Sequence, residues 1–218
     1  MIAFKFIIIA VISYLLGSLN FGVILSRGMK NEDVRESGSG NAGTTNMMRT
    51  YGKTLGLLTI AGDILKVILA IWLAFRIVSV EELKMTLYSA SDYPQVVLKS
   101  FAGLFAVLGH IFPCYFKFKG GKGVATSGGM VIAIDWRIAL ILLVIFALTI
   151  LITKYVSLGS ILMAIFYPVF IGIFYKDIIL VLIALVFTVI VVVAHRENVK
   201  RLINHTENKI GSKKKKKE

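Results

Sequence analysis

The chain contains one cysteine and three prolines in 218 residues, and its 12 acidic side chains face 25 lysines and arginines. With Cys114 alone, an internal disulfide and a cysteine cage for a metal are both excluded. The three histidines, His110, His195 and His205, are scattered and form no His-x-x-x-His or Glu-x-x-His pair, so no metal centre and no cofactor are expected. The GxxxxGK[ST] spacing of a nucleotide-hydrolysing loop is missing, as is any companion acid. Neither an internal repeat nor a polar stretch long enough for a soluble domain is visible.

What is abundant is apolar surface. Hydrophobic residues make up 57% of the chain and the mean hydropathy is +0.81, far more than a soluble domain of this size buries. The fold class is therefore an all-α polytopic integral membrane protein. Apolar runs fall at 6–25, 55–78, 96–112, 138–153, 156–175 and 178–194, with a shorter run at 124–134. Lys5 and the first run resemble a secretory signal, but no small-residue cleavage site follows, so a retained first helix is expected.

The short run decides the topology. Eleven or so helical residues reach roughly 18 Å, against a hydrocarbon core of about 30 Å. If it does not cross, the basic C-terminal tail and the basic loops lie on opposite sides of the membrane. If it does, about seven helices cross, the N-terminus is outside, and every strongly basic stretch is cytoplasmic, as lysine and arginine prefer. Glu81, Glu82 and Asp92 then lie outside. Residues 1–203 read as one transmembrane domain and 204–218 as a basic cytoplasmic tail. The lysines at 213–217 would contact anionic head groups or water rather than nucleic acid.

This topology gathers three polar stretches on the inner face. The first, SGSGNAGTTNMMRTY at 37–51, interleaves Gly38, Gly40 and Gly43 with short polar side chains and ends near Arg49. Glycines let backbone N–H groups form an anion-binding concavity, so a phosphate is its natural guest. The second, Gly120-Gly121-Lys122-Gly123, opens the short helix, where free N–H groups, the positive helix end and the Lys122 charge would favour an anion. In the third, His195 and Asn198 are three residues apart and can face one ligand. Inside the second span, Asp63 and Lys66 are spaced either for a structural ion pair or for support of a site.

GSGNAGTTNMMR (38–49), FKGGKGVAT (118–126) and HRENVKRL (195–202), in this order between these apolar runs, resemble the bacterial acyl-phosphate-dependent glycerol-3-phosphate acyltransferase family, often called PlsY. The His-x4-Asp pattern of another glycerolipid acyltransferase class is absent. The resemblance implies transfer of an acyl chain from acyl phosphate to the 1-hydroxyl of glycerol 3-phosphate at the cytoplasmic side of a bacterial cell membrane. The products would be lysophosphatidic acid and phosphate. A soluble partner enzyme would supply the acyl phosphate. The alternative, a transporter of a phosphorylated solute or lipid, lacks the paired interrupted helices that such proteins carry.

By resemblance the catalytic residues fall on Ser39, Lys122, His195 and Asn198. The substrate-binding set is Gly38, Gly40, Asn41, Gly43, Thr45, Arg49, Gly120, Gly121, Gly123 and Ser157. Arg49 and Lys122 would bind a phosphate, that of glycerol 3-phosphate, while the glycine N–H groups with Ser39 and Asn198 would serve the acyl phosphate and its oxyanion. The proton acceptor is open among His195, the donor's own phosphate oxygens, which the resemblance favours, and a Ser39 acyl-enzyme route. Two departures stand out: Ala42 and Thr44 replace a larger aliphatic and an alanine, and His205 occupies a position where the tail commonly has glycine.

Overall fold

The structure, a computed structural model, describes residues 2–87 and 90–210; the lysine run at 213–217 lies outside the described residues. The described residues contain helices and turns and no strand. The order is α1 (Ile2–Gly17), α2 (Phe21–Lys30), α3 (Thr44–Tyr51), α4 (Lys53–Ile77), α5 (Val80–Leu87) and α6 (Pro94–Ile111). It continues with α7 (Val124–Ile134), α8 (Trp136–Thr153), α9 (Val156–Tyr175), α10 (Ile178–Ala194) and α11 (Arg196–Ile203). Five segments among the described residues are long and apolar enough to cross a membrane, and α10 with α11, bent by 61°, makes a sixth. The helix α7 has 11 residues and stands apart from them.

Apolar side chains cover the outside as well as the inside. Leu140, Leu143, Leu148 and Leu151 on α8 are exposed, as are Leu58, Leu65 and Trp72 on α4. Such a surface suits hydrocarbon, and α6 is the helix that the others surround, packing against α1, α4, α7 and α10. Small residues set the close crossings. A Cβ on Gly17 would lie 2.0 Å from the Ala106 carbonyl oxygen, and one on Gly109 would lie 2.1 Å from that of Tyr14, so α1 and α6 touch backbone to backbone. Likewise a Cβ on Gly129 would lie 2.8 Å from Val67 Cγ1, which brings α7 against α4.

The first apolar run is not one continuous helix over 6–25. It breaks at Ser18–Leu19–Asn20, where Ser18 Oγ donates to the Tyr14 carbonyl and Asn20 caps α2 by accepting from the Val23 N–H. Polar side chains that satisfy a helix end from within explain the break. It leaves the Leu19 carbonyl to accept from Lys66 Nζ at 2.9 Å. The connection at 79–95 also contains a helix, α5, seated by the fully buried Leu83 and tied to α1 by Lys5 on Glu82 at 2.6 Å.

The α1–α6 crossing generates a test. Gly17→Val should cost about 3 kcal/mol or prevent folding, because a side chain there meets main chain that cannot give way. Thermal melting in detergent checks it, and a wild-type melting temperature would contradict it.

Candidate active site

Two inner loops are stitched together before any ligand is considered. Arg35 donates through Nη1 to the carbonyls of Phe116 and Lys119, joining the 34–43 segment to the 113–123 segment. Asp33 orients that guanidinium, accepting from its Nη2 at 2.6 Å, and the Arg35 hydrogen bond holds the Asp33 carboxyl well below the usual range. The first loop is then organised by Asn46, a buried side chain that the sequence reading passed over. Its Nδ2 donates to the carbonyls of Val34, Ser37 and Asn41, and its Oδ1 accepts from the Ser39 N–H.

This corrects the expected glycine cradle. The N–H of Gly40 donates to the Ser37 carbonyl and that of Gly43 to Asn41 Oδ1, so the loop spends these donors on itself. Gly38 serves geometry: φ is +65°, and a Cβ would lie 2.1 Å from Asn46 Oδ1. Gly120 and Gly121 are corrected in the same way. Their N–H groups donate to the Ile111 and His110 carbonyls at the end of α6, closing that helix end instead of facing the interface.

Donors for an anion come from elsewhere. The first-turn N–H groups of Thr44 and Thr45 begin α3, whose Gly43 cap offers no side-chain acceptor. The Lys122 ammonium and the Arg49 guanidinium donate to no group among the described residues. Burial, and then the nearby Arg201 guanidinium, push the Lys122 ammonium down to about 8, with Glu207 opposing.

These groups line one cavity of about 650 Å³. Its polar end holds Ser39, Asn41, Gly43, Thr45, Arg49, Lys122, Gly123, Ser157, His195 and Asn198; Gly38, Gly40, Gly120 and Gly121 lie outside its lining. Its apolar part runs between α7, α8, α9 and α10 over Val131, Leu140, Leu143, Phe146, Met163, Tyr167 and Phe187. From Ser157 to Tyr167 along α9 is ten residues, roughly 15 Å of helix. Leu140 and Leu143 on the α8 flank are exposed, so this part is a groove rather than a closed tunnel.

His195 and Asn198 meet in the cavity across the α10–α11 bend. The Nδ1 of His195 lies 2.8 Å from the Val191 carbonyl, which can only accept. Nδ1 therefore carries a proton and the neutral ring presents a lone pair at Nε2. Asn198 donates through Nδ2 to Glu207 at 2.8 Å, leaving Oδ1 buried with no partner among the described residues. Thr44 and Ser127 hydroxyls on the cavity wall are likewise buried with no partner among the described residues. Buried polar atoms without partners mark where a polar ligand completes the site.

Glu207, Arg201 and Asn208 were missed by the sequence reading. Glu207 accepts from Ser157 Oγ, Asn198 Nδ2 and Arg201 Nε. Burial pushes its carboxyl up, but these three donors outweigh it and hold the group ionised below its ordinary value. The segment after 203 is therefore folded onto the site through 210, where the Ile210 N–H reaches the Lys154 carbonyl. Arg201 sits three residues beyond Asn198, a spacing that could have flagged it, whereas nothing local announces Glu207. His205 adopts φ +54°, the left-handed conformation that glycine takes without strain.

A sequence model described as "Glycerol-3-phosphate acyltransferase" matches residues 7–205. The chain is 42% identical to a glycerol-3-phosphate acyltransferase of Clostridioides difficile (strain 630), over 97% of this chain and 98% of that one. It is 40% identical to one of Bacillus subtilis (strain 168), over 93% and 96%. The fold matches the crystal structure of PlsY (YgiH), an integral membrane glycerol 3-phosphate acyltransferase, in its glycerol 3-phosphate form. There the TM-score is 0.80 at 33% identity, over 94% of this chain and 96% of that one. Its lysophosphatidic acid form matches with a TM-score of 0.77 at 32% identity, over 94% and 95%.

Lys122 gives the site a pH signature. The group is charged below about 8 and neutral above, so inorganic phosphate should bind progressively more weakly from pH 7.5 to 9.5, by about tenfold over that range. Lys122→Arg keeps its charge and should flatten the profile. Thermal stabilisation by phosphate measures both; a flat wild-type profile would remove Lys122 from the anion site.

Proposed function

The chain belongs to the glycerol-3-phosphate acyltransferase family, and on that premise we propose that it moves a fatty acyl group from acyl phosphate to the 1-hydroxyl of glycerol 3-phosphate. The products are lysophosphatidic acid and inorganic phosphate. The single observation that carries this reading is the cavity itself, a cationic polar end continuous with an apolar groove. An acyl phosphate has that shape and polarity, and a second phosphate-bearing substrate needs the additional cations.

The polar end answers the repulsion between two phosphates. Arg49 takes one phosphate in a bidentate contact, Lys122 adds a point charge, and the α3 N-terminus supplies backbone donors. The acyl chain lies along the α8–α10 groove, which sets the carbonyl carbon at the polar end. The 1-hydroxyl oxygen attacks that carbon, the carbon–oxygen bond to phosphate breaks, and phosphate leaves with the electron pair. The hydroxyl proton ends on the departing phosphate. His195 accepts a hydrogen bond from the hydroxyl at Nε2 and orients it; Ser39, Thr44 and Ser127 are hydroxyl donors for the developing oxyanion. No acyl-enzyme is required.

The membrane orientation follows from charge. Arg27, Lys30, Lys53, Lys117, Lys119, Lys154 and Arg196 belong to the loops and helix ends around the polar end of the cavity, and we place that end on the cytoplasmic side of the cell membrane. The opposite end carries Glu82 on Lys5, Asp135 on Arg137, and Asp177 on Ser91. The donor then comes from a soluble enzyme that makes acyl phosphate.

The test is turnover of the purified protein with glycerol 3-phosphate and either acyl phosphate or acyl-CoA. Phosphate and lysophosphatidic acid should form with acyl phosphate, and acyl-CoA should not support the reaction. Arg49→Ala should lower kcat/KM by about 100-fold, the loss of a bidentate anion contact of about 3 kcal/mol. Equal use of acyl-CoA would overturn the donor assignment.

A further inference from the structure

A buried polar cluster with no part in the acyl transfer touches the same cavity. Asp63 and Lys66 on α4 and His110 on α6 are each 3% exposed or less, and Asp63 and His110 line the cavity wall. Lys66 Nζ lies 2.8 Å from Asp63 Oδ1, 2.8 Å from His110 Nδ1 and 2.9 Å from the Leu19 carbonyl oxygen. An ammonium group has three protons, and here it finds three acceptors.

That count fixes the histidine. The ring nitrogen and the carboxylate are 3.3 Å apart, longer than either contact to Lys66, so the ammonium is the shared donor between them. Nδ1 of His110 therefore accepts, and its ring proton sits on Nε2. The Nε2 side faces the loop that carries Lys122: a Cβ on Gly121 would lie 2.2 Å from Nε2, and the Gly121 N–H bonds the His110 carbonyl. Nε2 donates to no group among the described residues. A ring donor left open on the cavity wall beside a half-buried lysine is half of an anion contact.

We propose that His110 is a substrate-contact residue, a neutral Nε2–H donor to a phosphate oxygen at the polar end of the cavity, with Lys66 and Asp63 as the positioning pair that fixes its tautomer. The pair adds no net charge, so this donor stabilises phosphate by direction and not by field. Lys66 also grips the Leu19 carbonyl, so the donor is held by the helix break, α4 and α6 together. The proposal rests on the reading of the polar end as a phosphate site.

Inorganic phosphate is the probe, with thermal stabilisation of the full chain in detergent as the readout. His110→Leu should raise the half-stabilising concentration about tenfold, the loss of one hydrogen bond to an anion, while His110→Gln, which keeps an amide donor at the matching position, should stay near wild type. A His110→Leu protein that melts cooperatively and responds to phosphate at the wild-type concentration overturns the assignment. If His110→Leu does not fold, nitrogen-15 spectra of the unsubstituted ring decide, assigned by its persistence when His195 and His205 are replaced by Gln. A proton on Nε2 with a resonance that moves on adding phosphate supports the proposal; a proton on Nδ1, or no movement, overturns it. Steady-state kinetics of His110→Leu then assign the source, since a raised KM for glycerol 3-phosphate alone names the acceptor's phosphate and one for acyl phosphate alone the donor's, while His110→Gln keeps both near wild type. Should the wild-type protein bind phosphate yet turn over no acyl phosphate, the acyltransferase reading fails and this assignment stands.

Discussion

A charge buried among membrane helices has to be satisfied by the protein, and the ammonium of Lys66 shows what that demand builds. It needs three acceptors, and they come from three separate places: a carboxylate one helical turn back, an imidazole on α6 and a carbonyl released by the break in the first helix. Each acceptor constrains its own element. The Leu19 carbonyl is available only because Ser18 and Asn20 interrupt the helix, and the imidazole is in place only because Gly121 leaves it room. The inner loops are mounted on this frame, and Arg35 and Asn46 complete the mounting through hydrogen bonds to backbone.

Much of the architecture was legible in the sequence because membrane helices announce themselves by length and polarity. The short α7 was visible from its 11 residues between Gly123 and Asp135, and the turns at Lys154 and Lys176 fell where apolar runs stop. The helix break at 18–20 was not, since Ser and Asn inside an apolar run also occur in continuous helices. The convergence of Arg49, Lys122, His195 and Asn198 on one cavity was expected from three polar stretches lying between apolar runs.

What the sequence could not convey is which atoms are already occupied. Gly40, Gly43, Gly120 and Gly121 suggested free backbone donors, and each N–H turns out to serve the loop or the end of α6. Glycine in such loops reports a shape; only the hydrogen-bond ledger says whether that shape faces inward or towards a ligand. Glu207 was hidden for a different reason. Its three partners, Ser157, Asn198 and Arg201, lie up to 50 positions away, and no local pattern encodes a tail folding back onto a helix start. Residues on the two sides of position 203 pack together, Glu207 bonding Asn198 and Arg201.

The electrostatic logic of the site is one of supply and spacing. Arg201 is matched by Glu207, Asp63 by Lys66, and burial keeps His195 neutral while its Nδ1 bonds the Val191 carbonyl, so among the described residues of the cavity Lys122 and Arg49 are left as cations with no hydrogen-bonded partner. That remainder suits two phosphate-bearing substrates held together, with the acyl group passing directly from one to the hydroxyl of the other. Initial rates measured while acyl phosphate and glycerol 3-phosphate are both varied test this most directly. Double-reciprocal lines that intersect are the predicted result, because both substrates occupy the cavity before acyl transfer. Parallel lines, the mark of an acyl-enzyme formed before the acceptor binds, would contradict the account.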